Sequence, residues 1–591
     1  MLKHTISLLL CICMLFSIMY MPLPSAFDNN RNRSLSDKIV YESADILYSS
    51  SYDTYNNTEL EVDSVSIFLE YEDSFSCEHT DFTTEEELTE HRKELRKYYA
   101  QKNKQIIDKI KLSGHTEMYY SNYGPFIEYR YNSYKDFVNS DYKKLEKNNS
   151  SDLNKVYVHN NYKIDSSATI DTNHEAPHYL LNRVYEDLGI PNSTTLTGQG
   201  VRVGILEEYI PSRFTNFSNT TYEVFGSITQ PDIVGIGDHA YEVASLLGGV
   251  TGVAPNVSFY FTEATRTPPL TSVEWLLDKD VHIINVSMGM QVHHYSHLSA
   301  YFDYLIQSTK VTIVAAAGNN RNNTYELNGT DFRNIECPGK GINVITVASS
   351  TRDKTISYFS AFLNPNIEMP ELLKPTLTAP GTRICRAGDK TTNVFSGTSA
   401  SAPLVSGIIA LLMQQAPMLK AHPEMIMSIL SASCTNLVGQ GTIYDIDAGF
   451  GLVNFTNALN LISKTYNFTF NPSTKNVGDT LCTRYVTIPA GETLRLRADV
   501  LFNSTTNSPP NVSDEASNPI YPQVRVDIKD NATGTTILGS YLSNFSYIDY
   551  TNNYSADRTY TITVKMASNP NVNGLHYASL TSSILTESYL P

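Results

Sequence analysis

Five short apolar runs between residues 200 and 350 restrict this 591-residue chain more than any other feature. Residues 201–206, 257–261, 281–286, 311–316 and 344–348 are almost continuously hydrophobic rather than alternating, as strands buried on both faces are. Helical patterns fall between them, at 239–247 and 271–277, and residues 404–413 form a longer apolar stretch that reads as a buried helix. Strand and helix in alternation imply a doubly wound α/β domain with a mainly parallel sheet. In such a domain functional groups collect where strands end and helices begin.

The flanks have a different character. Residues 85–111 carry a charged helical pattern, 125–131 and 155–158 read as strands, and 134–147 as an amphipathic helix, which together suggest a small α/β module. Residues 161–175 are polar and without period, as in a linker or a cleavage region. After residue 458 come six strand-like runs, at 484–488, 493–501, 523–528, 536–542, 546–550 and 559–564, separated by Asn, Gly and Pro with no helical pattern. This implies a β-sandwich or jelly-roll. Residues 1–26 place Lys3 and His4 before the apolar run 6–21 and end on Pro-Ser-Ala, a secretory signal, so a secreted or extracellular protein is expected, either free or held at the cell surface. No other stretch is long enough to span a bilayer. The expected division is 1–26 signal peptide, 27–175 leading segment with its α/β module, 176–460 main domain and 461–591 accessory domain.

The formal charge of −17 argues against a nucleic-acid partner. Of seven cysteines, Cys11 and Cys13 lie in the signal, and the remaining five, Cys77, Cys337, Cys385, Cys434 and Cys482, specify no disulfide framework. Asn-x-Ser/Thr sequons occur at Asn216, Asn256, Asn454 and Asn544, and also at Asn285 inside an expected buried strand.

Residues 396–403, Ser-Gly-Thr-Ser-Ala-Ser-Ala-Pro, form a small-residue turn that runs into the long apolar helix. Ser399 there is either a helix cap or a nucleophile whose neighbouring free N–H groups face a developing anion. Pro403 is expected in the first helical turn. A nucleophile needs a base, an acid to orient the base and an oxyanion donor. Glu207 and Glu208 close the first strand, His239 opens a helix, and Asn319 follows the strand and glycine at 314–318. Strand alternation turns Glu208 away from the side on which Glu207 meets His239. The order acid, histidine, amide, serine is that of one convergent nucleophile triad.

From Gly198 to about Ala458 the chain resembles the subtilases, subtilisin-like serine peptidases. The resemblance is carried by Gly397-Thr398-Ser399-Ala400-Ser401-Ala402-Pro403, by His239 with Val243-Ala244, by Ala317-Gly318-Asn319, by Ser287-Met288-Gly289 and by Gly252-Val253-Ala254-Pro255. It implies that Ser399 attacks a peptide carbonyl, His239 moves the proton, Glu207 orients His239, and Asn319 with the Ser399 N–H holds the oxyanion. It also implies that Ser287, Met288 and Gly289 face Ala316, Ala317 and Gly318 across the primary specificity pocket. An apolar or broad preference is the default expectation, because the base of that pocket falls in the divergent stretch 320–340. The substrate would be a polypeptide. The segment 126–165 would be part of a propeptide that chaperones folding and inhibits the cleft until cleavage near 161–180.

Two departures stand out. The family usually ends the first strand on Asp, and this chain has Glu207, one methylene longer. After the base the family has Gly-Thr-His, and this chain has Ala240-Tyr241-Glu242, with more bulk beside the imidazole. A catalytically silent relative that binds or regulates is therefore the alternative. A scheme with acids in place of the histidine is opposed by His239 and Asn319. No cofactor is expected. His293, His294 and His297 read as solvent-facing loop residues rather than metal ligands, and structural calcium stays unassigned, Asp527 and Asp530 being too few for a closed site.

Overall fold

The computed structural model of the chain describes residues 39–41, 63–71, 75, 82–142, 145, 153–160 and 179–585, the last with breaks at 212, 226–237, 265–268, 291–294, 322–332, 365–371, 386–393, 505–521 and 570–573. The signal segment, the linker 161–178, Cys77, His293 and His294 lie outside the described residues.

β1 (Ile39–Tyr41), β2 (Asp63–Tyr71), α1 (Glu85–Ile110), β3 (Glu117–Tyr120), β4 (Phe126–Ser133), α2 (Tyr134–Asn139) and β5 (Leu153–Asn160) form the N-terminal module, with sheet order β1-β5-β2-β4-β3. A capping box starts α1: Thr84 Oγ1 accepts the Glu87 N–H and the Glu87 carboxylate accepts the Thr84 N–H. The helix expected at 134–147 breaks at Ser140, which turns its N–H and its hydroxyl back onto the Phe137 carbonyl; Leu145 is again helical, and 143, 144, 146 and 147 lie outside the described residues.

The main domain holds β6 (Tyr179–Leu180), α3 (Leu181–Asp187), β7 (Arg202–Glu207), β8 (Tyr222–Phe225), α4 (Asp238–Gly248), β9 (Ser258–Glu263), α5 (Pro269–Asp278), β10 (Ile283–Val286), α6 (His297–Thr309), β11 (Thr312–Ala316), β12 (Ile345–Ser350), β13 (Leu377–Pro380), β14 (Ile384–Cys385), β15 (Val394–Phe395), α7 (Thr398–Gln415), α8 (Pro423–Ser433) and α9 (Phe455–Leu461). Seven strands make one parallel sheet ordered β13-β12-β11-β10-β7-β9-β8. Strand order reverses at the β7–β10 pair, and a crevice opens there beyond the strand C-termini. One face of the sheet is covered by α4 and α7, with Val243, Leu247, Leu404, Ile408 and Leu411 fully buried. The other is covered by α5 and α6.

The N-terminal module packs on that second helical layer. Phe68 of β2 and Phe126 of β4 meet His297, Tyr301 and Tyr304 of α6, with ring centroids 4.7–5.4 Å apart. Arg92 of α1 donates to the carbonyls of Thr309 and Val281 at 2.9 and 3.0 Å. His297 is therefore not a solvent-facing loop residue: it opens α6, is 2% exposed and stacks on His159 at 4.0 Å.

After α9 come β16 (Thr465–Phe470), β17 (Thr480–Ile488), β18 (Thr493–Val500), β19 (Gln523–Asp530), β20 (Thr536–Leu538), β21 (Ser540–Leu542), β22 (Phe545–Thr551), β23 (Arg558–Ser568) and β24 (His576–Leu585). They form two antiparallel sheets, β16-β24-β18-β22-β21 and β17-β23-β19-β20, that share a core of Leu494, Leu496, Val524, Val526, Ile562 and Val564. The first sheet rests on α8, where Ser579 Oγ donates to the Glu424 carbonyl. Asp527 pairs with Arg525 and Lys565, and Asp530 with Arg558, so both carboxylates are engaged by cations. No disulfide joins Cys337, Cys385, Cys434 and Cys482, all buried. Asn285 is a fully buried core amide bonded to Ser287 and Ser406, so its sequon lies inside the fold.

Candidate active site

β7 ends on Glu207, which is 1% exposed at the mouth of the crevice. His239, the second residue of α4, places Nδ1 at 2.9 Å from Glu207 Oε2. The longer acid therefore reaches the imidazole without a break in the strand. With the Nδ1–H donated to the carboxylate, Nε2 is left as an acceptor, and it has no hydrogen-bond partner among the described residues. The edge of Phe395, 5.5 Å away, walls the ring. Burial pulls the His239 pKa down, but the charge and hydrogen bond of Glu207, with Glu208 and Glu242 nearby, raise it on balance above its ordinary value. Tyr241 adds no bulk beside the imidazole: it turns into the core, 5.7 Å from Phe217 and under Arg213.

Ser399 is the second residue of α7, and the helix has Gly397 as its N-cap, so Ser399 is not the cap. It is 3% exposed, and its hydroxyl donates to the Ser287 carbonyl at 2.9 Å rather than to His239. Pro403 is the sixth helical residue, beyond the first turn, and its missing N–H removes the bond that the Ser399 carbonyl would otherwise accept. Asn319 Oδ1 accepts the Thr398 N–H at 2.9 Å and the Thr398 hydroxyl at 3.2 Å, which turns its NH2 toward Gly397. A methyl group placed on Gly397 would lie 3.5 Å from both Asn319 Nδ2 and Ser399 N and 3.6 Å from Asn319 Oδ1, so the Asn319 amide and the Ser399 N–H lie close together beside the serine.

Two extended segments leave the adjacent strands β10 and β11 on either side of this spot. Ser287, Met288 and Gly289 form one, and Ala316, Ala317 and Gly318 the other, with the Gly318 N–H held by Thr398 Oγ1 at 3.1 Å. The structure thus gathers Glu207, His239, Asn319, Ser399 and both segments at the C-terminal edge of one sheet.

A sequence profile of the subtilase family matches residues 166–451. The chain carries a subtilase domain. Among curated proteins it is similar to the serine protease AprX of Bacillus subtilis, 28% identical over 316 residues that cover 44% of this chain and 65% of AprX. It is also similar to the alkaline elastase YaB of a Bacillus species, 26% identical over 310 residues covering 49% of this chain and 72% of the relative. The chain therefore spans just under two thirds of AprX. Among solved structures, fervidolysin from Fervidobacterium pennivorans, described as a keratinolytic enzyme related to subtilisin, aligns over 95% of this chain and 97% of its own at 13% identity and a TM-score of 0.46.

One residue of the subtilase crevice escaped sequence reasoning. Glu336, 4% exposed, lies in the stretch 320–340 for which no motif gave a register. Its place follows only from backbone pairing: Cys337 exchanges two hydrogen bonds with Met290, each 2.9 Å, and the Glu336 N–H donates to the Ala317 carbonyl.

Proposed function

We propose that the subtilase domain is a serine endopeptidase in which Ser399 is the nucleophile, His239 the general base and acid, and Glu207 the residue that orients His239. The observation that carries this reading is the 2.9 Å bond from His239 Nδ1 to a buried Glu207, which leaves Nε2 as an open acceptor. In the resting arrangement the Ser399 hydroxyl rests on Ser287; rotation about its χ1 directs it to Nε2 when a substrate arrives. Attack on the carbonyl carbon passes the hydroxyl proton to His239. The oxyanion is held by Asn319 Nδ2 and the Ser399 N–H, and His239 then protonates the departing amine to leave an acyl-enzyme for water to cleave. The extended segment 287–289 offers a peptide an edge to pair with, whereas the backbone groups of Ala317 and Gly318 are bonded within the domain and form the opposite wall.

In this reading the N-terminal module is the propeptide. Its packing on α6 supports a chaperone role, since it steadies one layer of a slow-forming parallel sheet. A polypeptide substrate and an extracellular site of action, at the cell surface or beyond it, complete the proposal. Among the described residues no helix is long and apolar enough to cross a membrane. Hydrolysis of a quenched-fluorescent protein by the mature chain, lost in Ser399→Ala, is the expected result. Equal rates from the two proteins would refute it.

A further inference from the structure

We propose that the N-terminal module stays on the mature enzyme as a non-covalent subunit after the chain is cut, anchored by the start of α1 at the end of the sheet opposite the crevice. The proposal rests on the reading of that module as a propeptide.

α1 begins where basic groups of the main domain converge on one carboxylate. Glu85 Oε1 accepts from Arg202 Nη2 at 2.6 Å and from His282 Nε2 at 3.1 Å, and Oε2 accepts from Lys420 Nζ at 2.7 Å. His282 Nδ1 accepts the Arg202 N–H, which fixes the tautomer that gives its Nε2–H to Glu85. The hydrogen bond from His282, ahead of that from Lys420, holds the Glu85 carboxyl well below the usual carboxylate range against the pull of partial burial. Without this acid, the charges of Arg202 and Lys420 would stand side by side with no anion between them.

Farther along α1 the module becomes the donor. His91 Nε2 donates to the Ser308 carbonyl at 2.6 Å, and Arg92 donates to the carbonyls of Thr309 and Val281 at 2.9 and 3.0 Å. Ser308 and Thr309 end α6, where carbonyls have no further helical N–H to meet and the helix dipole favours a cation. The cationic cap of a main-domain helix is thus supplied by the module. Arg92 is 2% exposed, and burial draws its pKa down only to about 10, so it carries its charge into the interface at neutral pH. Just before α1, Phe82 packs with Leu88 against Ala421, and its carbonyl accepts from His422 Nε2 at 3.2 Å. Residues 82–92 therefore reach from the turn after α7 to the end of α6.

The place of this anchor decides what cleavage can change. Arg202 opens β7 and Glu207 closes it, which sets the Glu85 contact a strand length, roughly 17 Å, from the catalytic acid. A cut within 161–180 touches none of these bonds, since each joins residues 82–92 to the main domain beyond residue 200. Retention by a product-like tail in the crevice would end once the tail is removed. Retention through α1 would not.

The test uses full-length Ser399→Ala, which cannot cut itself, with the recognition sequence of an external endopeptidase in place of residues 161–167. The module then keeps almost none of the linker after cutting, which removes the crevice as a source of retention. Gel filtration at about 1 μM and again at about 10 nM should find both fragments in one peak. Glu85→Gln and Arg92→Met, each placed in that chain, should raise the dissociation constant at least about tenfold. Lys420→Met removes the Glu85 pair from the main-domain side and should do the same, and melting curves before cutting show which variants are folded. Separation of the parent fragments at the higher concentration, or dissociation constants in folded variants equal to that of the parent, would overturn the proposal. The self-processed wild type, purified through a C-terminal tag, should carry the module with it, and its absence there would also overturn retention. A wild-type chain that stays uncut refutes the peptidase reading instead and leaves the fragment experiment to decide the docking.

Discussion

Glu207 is the departure most open to a decisive substitution, and the informative change is to the shorter acid that the family usually carries. In Glu207→Asp the carboxylate withdraws by about one carbon–carbon bond, ~1.5 Å. The separation of 2.9 Å from His239 Nδ1 then opens to roughly 4.4 Å, outside hydrogen-bonding distance. A charge-assisted hydrogen bond contributes about 1.5–3 kcal/mol, and 1.36 kcal/mol is tenfold in rate, so kcat/KM should fall about ten- to hundredfold. Glu207→Gln keeps the length but loses the charge. At about 4 Å and an effective dielectric near 20 that charge is worth roughly 4 kcal/mol to the imidazolium, a loss of about 10³-fold. The assay is the pH profile of kcat/KM on one fluorogenic peptide. Because Glu207 raises the His239 pKa against burial, the acid limb of the wild type should lie above the ordinary histidine value of 6.5 and move to lower pH in Glu207→Gln. Activity in Glu207→Asp equal to or above the wild type would refute the claim that this strand end is fitted to glutamate.

Three further outcomes are expected. Asn319→Ala should lower kcat by about 10²–10³ with little change in KM; because Asn319 also accepts the Thr398 N–H, a melting curve should accompany the assay, and an unchanged kcat in folded protein would remove Asn319 from the oxyanion site. The docked α1 should weaken on acidification: burial, outweighing the Glu85 hydrogen bond, lowers the His282 pKa to about 3, whereas the unfolded chain takes up that proton near 6.5. Glu85, depressed first by its hydrogen bond from His282, adds a further loss below its ordinary value of 4.5, so the Tm of unprocessed Ser399→Ala should drop from pH 7 to pH 4 and do so less steeply in His282→Asn; a slope unchanged by that substitution would contradict this. Self-cleavage is expected within 161–180, so sequencing of the processed chain should find a new N-terminus there that is absent from Ser399→Ala.

Five of the seven parallel strands were legible because burial on both faces makes each an unbroken apolar run, as in residues 281–286 and 311–316; β8, whose residues are partly exposed, and the short β13 were not. α6 was not, because its polar letters hide its burial: Ser299 and Asp303 are fully buried, and Asp303 accepts the N–H groups of Ile342 and Asn343 from another segment. β24 was missed for a similar reason, since its serines and threonines bond to α8 instead of facing solvent, as Ser579 and Thr581 do. Glu207, His239, Asn319 and Ser399 were visible as residues at strand ends and helix starts, where local pattern and site coincide. Glu336 was invisible, because its position depends on the pairing of Cys337 with Met290, a contact between segments that no local periodicity encodes.

Covalent labelling of the processed chain by a fluorophosphonate, mapped by mass spectrometry, tests the central claim most directly. The account predicts one adduct, on Ser399, abolished in Ser399→Ala and slowed by about 10³-fold or more in His239→Ala, where the base is gone. Labelling that survives in Ser399→Ala, or no labelling of folded, processed protein, would contradict it.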